Sequence, residues 1–167
     1  LAGEIRAEVA FDPGGASIEI DGSRLPRVIL RAAPETMSTT RGIEAITYLA
    51  LPSGTAPVQV RVTGLESETL TGLSAGLPQS RLAQIPESGS PAGAGAGTGW
   101  MRGVQLQAVR LLPIFREPSS GELQIWTRVE IVVDTEPSPI PAGIWLPERT
   151  GTVSEKDFND ILRTMVA

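Results

Sequence analysis

Residues 123–134 constrain this chain more than any other stretch. Leu123, Ile125, Val129, Ile131 and Val133 fall on one face of an extended backbone, together with Thr127. Gln124, Trp126, Arg128, Glu130 and Asp134 fall on the other, and Val132 breaks the pattern. Alternation this long specifies a strand with one buried and one wet face, because successive side chains of a strand point to opposite sides. Just before it, Glu117-Pro118-Ser119-Ser120-Gly121 is a turn sequence. Residues 101–116 before that turn are apolar enough for a partner strand. The stretch 101–134 therefore reads as a hairpin.

Strand signals recur elsewhere at short intervals. Ile5, Ala7, Val9 and Phe11 alternate with polar or small residues, and Pro13-Gly14-Gly15 ends the run. Ile18 and Ile20 share a face in a short strand closed by Asp21-Gly22. Residues 27–31 are a third candidate. Pro34 and its small polar neighbours make residues 32–40 a loop. Residues 42–51 place Ile43, Ala45, Leu49 and Leu51 on one side, and Val58, Val60 and Val62 alternate with Gln59, Arg61 and Thr63. Strands about ten residues apart, with no helix of the length a parallel crossover needs, specify an all-β fold. The expectation is a single antiparallel β-sandwich or barrel, jelly-roll-like, over residues 1–150.

Two segments depart from this rhythm. Residues 86–99 are Pro, Gly, Ala and Ser with one Glu and one Thr. They have little apolar surface to offset the entropy of ordering, so a flexible surface loop is expected there, and such loops are favoured nicking sites. Residues 136–149 are proline-rich, with Trp145 as an apolar anchor. The clearest helix lies at residues 154–166 within a terminal segment 151–167. Ser154 is the N-cap candidate with Asp157 three residues on, and Phe158, Ile161, Leu162, Met165 and Val166 form an apolar stripe. About three turns are marginal alone in water, so this helix needs something to pack against.

Composition removes whole classes of chemistry. The chain has no Cys and no His. Cysteine-histidine and serine-histidine catalysis, Cys/His zinc sites and disulfides are thereby excluded. Nineteen acidic against fourteen basic residues give a net charge of −5. That balance, with no basic cluster, argues against nucleic acid as a partner. No apolar run approaches the ~20 residues of a membrane-spanning helix.

Few residues invite a chemical reading. Glu66 and Glu68 are the nearest thing to a carboxylate pair, but nothing suggests a cleft, and a solvated loop is the plainer reading. Asp12, Asp21, Asp157 and Asp160 lack the spacing of a calcium loop. The glycines from Gly93 to Gly99 lack the Lys-Ser/Thr of a phosphate-binding loop. No cofactor is expected, and no enzymatic activity. Trp126, on the polar face by parity, is either a ring packed on its neighbours or an interface anchor. The stripe containing Phe158 and Leu162 is either core or partner surface. Arg102 and Arg116, at the ends of the apparent hairpin, are either ordinary solvated residues or contacts with a partner.

The run Arg102-Gly103, an apolar strand, Pro113, the Pro118-Ser119-Ser120-Gly121-Glu122-Leu123 turn, and Trp126-Thr127-Arg128-Val129-Glu130-Ile131-Val132-Val133 resembles the prodomain of gingipain-type cysteine peptidases. Gly22-Ser23-Arg24-Leu25-Pro26, Leu49-Ala50-Leu51-Pro52, and Asp157-Phe158 with Ile161-Leu162 resemble further elements of that family, in the same order along the chain. The resemblance implies a non-catalytic propeptide of a secreted, periplasmic or surface-anchored bacterial cysteine peptidase, or of a sortase-like relative in type IX secretion. Its partner would be the peptidase domain in cis, following residue 167, which it would keep latent and help to fold. The alternatives are a binding or adhesion β-sandwich and a spacer in a multidomain surface protein.

Overall fold

The structure is a computed structural model. It describes residues 2–20, 22–31, 36–39, 42–87, 89–93 and 97–139. The expected helix at 154–166, with Phe158 and Leu162, and most of the proline-rich segment with Trp145, lie outside the described residues.

The fold is all-β and antiparallel. The strands are β1 (Gly3–Ala10), β2 (Ala16–Ile20), β3 (Pro26–Leu30), β4 (Thr36–Thr39), β5 (Gly42–Ala50), β6 (Thr55–Leu70), β7 (Thr98–Met101), β8 (Val104–Leu111), β9 (Ile114–Arg116) and β10 (Leu123–Pro137). A four-residue helix, α1 (Gln79–Leu82), lies between β6 and β7. One sheet runs β1-β10-β6, with β9 also paired to β10; a second runs β4-β5-β8-β7; β2 and β3 pair as a separate ribbon.

One apolar core joins the three sheets. It takes Val9 from β1, Val28 and Leu30 from β3, Ala45 and Leu49 from β5, Val109 and Leu111 from β8, Ile114 from β9, and the odd-numbered face of β10. Leu123, Ile125, Val129, Ile131 and Val133 are all fully buried, as their alternation requires. Asp12 is used locally: its carboxylate accepts from the Gly14 N–H at 2.8 Å and caps the turn at Pro13–Gly15.

Three expectations need correction. The stretch 101–134 is not one hairpin. Residues 98–111 form β7 and β8 around a tight turn at Arg102-Gly103, and β8 pairs with β5 and β7 in the second sheet. Only β9 folds back on β10, pairing Ile114–Arg116 with Leu123–Ile125. The break is at Leu112-Pro113, because proline has no N–H to donate to a ladder and biases the residue before it. Part of residues 32–40 is strand, not loop: β4 pairs Thr36–Thr39 with Gly42–Ala45. Neighbouring backbone supplies what the sequence pattern lacks there.

The alternation at Val58, Val60 and Val62 also breaks. Val60 and Val62 pack on the core, whereas Val58 is 62% exposed. Asp134 pairs with Gln59 and Thr135 with Pro57, so Val58 is the extra residue of a bulge. Leu65 is the extra residue of a second bulge, between partners Glu66 and Gly64, and it too is exposed. An inserted residue has no partner opposite and turns away from the packed face.

The described parts of the 86–99 segment are tied to β8 and β9 through backbone. The Arg116 N–H donates to Pro86 O, Leu112 N–H to Pro91 O, Gly93 N–H to Arg110 O, and Ala108 N–H to Gly97 O, at 2.7–2.9 Å. Buried Gln107 adds a side-chain donation to Gly97 O at 3.2 Å. A Cβ on Gly93 would lie 2.8 Å from the Arg110 Cβ, so this close approach needs glycine.

Candidate functional site

The outer face of the β1-β10-β6 sheet is a ladder of charges set by register. Glu4 stands opposite Asp134, Arg6 and Arg61 stand on either side of Val132, Glu8 is opposite Glu130, and Arg128 is opposite Glu66. Like charges therefore meet directly across strands at two rows, an arrangement that is unfavourable alone. Arginines on the diagonals neutralise it. Arg128 grips Glu8 with a fork at 2.8 and 3.0 Å and reaches Glu66 at 2.5 Å. Arg6 donates to Glu4 at 2.6 Å and Glu130 at 3.4 Å, and Arg61 bridges Glu4 at 3.2 Å and Asp134 at 2.9 Å. Val132, nearly buried, lies between the stems of Arg6 and Arg61 in register.

The bond from Arg6 holds the Glu4 carboxyl below its usual range, and the bond from Arg128 does the same for Glu8. A depressed folded pKa stabilises the fold above the unfolded carboxylate value, about 4.3, and that contribution disappears as pH falls through the lower folded value. The melting temperature is accordingly expected to fall with acidification from about pH 5 to 3. Arg128→Gln should flatten part of that fall, and added salt should mimic the variant. A pH–melting profile of the variant parallel to wild type would contradict this. A face whose charges satisfy one another has little left for a partner.

Arg116 and Trp126 lie at opposite ends of the β9–β10 pairing, Arg116 opposite Leu123 and Trp126 just past the Ile114–Ile125 pair. Arg116 pairs with Glu87 while its backbone is held by Pro86, so it ties down the start of the 86–99 segment. Trp126 donates its backbone N–H to Pro113 O at 2.8 Å. Its ring packs 5.2 Å from Phe115, centroid to centroid, with Gly89 beside it. The ring lies on Gly64 so closely that a Cβ there would be 2.3–2.5 Å from three ring carbons. Trp126 is thus a packed ring under a loop, of the kind that covers a bare strand glycine. The sequence could not show this, because it depends on which residue of β6 the bulges bring opposite.

Arg102 is placed differently. With Gly103 it forms the two-residue turn between β7 and β8, both at positive φ (48° and 78°), flanked by the Met101–Val104 pair. This is the twist-matched hairpin turn in which Asn-Gly is usual. Here an arginine occupies the left-handed position, exposed beside an exposed Met101. Arg6, Arg31, Arg61, Arg110, Arg116 and Arg128 each reach a carboxylate. Among the described residues none reaches Arg102. Of the described sequence-derived candidates, this is the one exposed on a paired hairpin turn without a described carboxylate partner.

Among the described residues no group of Asp and Glu is arranged to hold a metal ion, and no helix is long and apolar enough to cross a membrane. No known family profile matches the chain, and no curated protein matches it by sequence. Its fold is similar to a structure solved to explain the zymogenic latency of gingipain K from Porphyromonas gingivalis, with a TM-score of 0.51 over 81% of this chain and 88% of that one, at 15% identity. The likeness is one of fold.

Proposed function

We propose that this chain is a non-catalytic propeptide-like domain that keeps a cysteine peptidase domain, linked in cis, latent and assists its folding. The observation that carries the reading is the fold likeness to the gingipain K latency structure over most of both chains. The same reading makes the all-β body a sandwich of jelly-roll type over residues 1–150. It places the protein outside the cytoplasm, secreted, periplasmic or at the bacterial surface. The absence of Cys and His from the chain supports a role without chemistry of its own.

Latency needs an element that covers an active-site entrance and is not turned over. Arg102 suits this. The backbone of a tight turn between two paired strands is already ordered, so binding through Arg102 fixes side-chain rotamers without also having to order a loop. A tethered domain acts at an effective concentration of order mM, so modest contacts suffice for latency and cleavage of the link permits release. An arginine-seeking specificity pocket would accept Arg102, with Met101 at its rim.

The purified chain, mixed with its separately produced peptidase domain, is expected to co-elute with it and suppress peptide hydrolysis at micromolar concentration. Arg102→Gly keeps a residue suited to positive φ and removes the guanidinium. It should weaken inhibition by about tenfold or more. Absence of both complex and inhibition with the wild-type chain would discard the propeptide reading in favour of an adhesion or spacer domain.

A further inference from the structure

We propose that the β2–β3 hairpin tip, centred on Arg24, is a second recognition element that docks on an acidic, apolar-rimmed recess of the partner. This rests on the propeptide reading, which makes that partner the peptidase domain.

Arg24 and Arg102 are the non-glycine residues at positive φ among those described, at 61° and 48°. Left-handed backbone brings the Cβ of an L-residue against the following carbonyl, so it is ordinarily left to glycine, asparagine or aspartate. The chain follows that rule at Gly42, Gly54, Gly72, Gly103 and Gly121. At these two hairpin tips it does not. Strain kept at an exposed loop, where glycine would relieve it, points to a use for the side chain.

The charge pattern makes the same point independently. Carboxylates outnumber basic residues, and six described arginines are ion-paired, yet no described carboxylate reaches Arg24. Beside it Ser23 accepts from Arg81 at 3.1 Å, and two large aliphatic side chains nearby are exposed. Ile20 ends β2 at 72% exposure and Leu25 precedes β3 at 45%. Ile18, two residues before Ile20 on the same face, packs on the core, so Ile20 lies just past the edge of that core. A guanidinium that no described carboxylate reaches, with exposed Ile20 and Leu25 at the ends of the same turn, fits a recess with a carboxylate floor and an apolar wall. That is the composition of an interface hot spot with its water-excluding surround.

Arg24→Gly separates the two roles a residue here can have. Removing the left-handed arginine is expected to leave the melting temperature unchanged or raise it by about 2 °C. Inhibition of the peptidase domain should nevertheless weaken about tenfold, mostly with a loss of salt sensitivity in the association rate. Arg24→Lys, which keeps the charge, should fall between the two. If Arg24→Gly inhibits as wild type does while Arg102→Gly does not, the tip is not a contact and the proposal fails, although the propeptide reading stands. If the wild-type chain neither binds nor inhibits, both fall together.

Discussion

Replacing Gly64 with alanine is expected to lower the stability of this protein by about 3 kcal/mol, at the upper end for one added methyl group in a packed site. The backbone at Gly64 is not in the left-handed region, so the effect is one of space alone. A Cβ would stand 2.3 Å from Cζ3 and 2.5 Å from Cε3 and Cη2 of Trp126. An indole ring cannot yield by bending. It must swing away, giving up its contact with Phe115 and its place beside Gly89. Arg116 and Pro86 anchor the neighbouring loop, so the swing has little room. Denaturant unfolding followed by circular dichroism measures the loss. Trp126→Leu in the Gly64→Ala background should restore part of it, so the double variant is expected to fall short of the summed single effects by about 1–2 kcal/mol. Additive losses would mean that ring and glycine do not press on each other.

That pair also marks the limit of what the chain discloses before it is folded. The odd face of β10 was legible because Leu123, Ile125, Val129, Ile131 and Val133 alternate over the whole strand, and burial rewards that period directly. The same rule misleads wherever a residue is inserted. Val58 has the right parity for the core and points to solvent, because a bulge is a property of two strands and not of one. The apparent hairpin of 101–134 fails for a related reason. Periodicity reports that a segment is strand, but not which sheet it joins, and Pro113 sends β8 and β9 to different sheets. The paired Thr36–Thr39 strand carries no apolar alternation and is fixed by its neighbour.

The candidate site divides along the same line. That Arg102 precedes Gly103 at a turn can be seen in the sequence. That it occupies left-handed backbone with no described carboxylate in reach cannot. Arg24 gives no local signal at all, since nothing in Gly22-Ser23-Arg24-Leu25-Pro26 says which residue adopts positive φ. Arg116 looks equivalent to Arg102 in the sequence, and the fold makes it a structural tie to Glu87.

Ile131→Ala is expected to have the largest effect, about 4 kcal/mol, a substantial share of the 5–15 kcal/mol that holds a domain of this kind together. Ile131 is fully buried on the central strand, with Ala7 and Val62 as its cross-strand neighbours. Its neighbours are themselves small or β-branched and cannot move in to fill the space, so the lost transfer energy is joined by a cavity term. The adjacent Val132 offers a controlled contrast. It is nearly as buried, at 6% exposure, but faces the charge ladder between Arg6 and Arg61. Long flexible stems can close over a truncated side chain, so Val132→Ala should cost only about 1 kcal/mol. Unfolding free energies of the two variants, measured side by side, test where the core lies. Equal losses would mean that the ladder face is packed as rigidly as the interior, and that its arginines are held by dense packing as well as by charge.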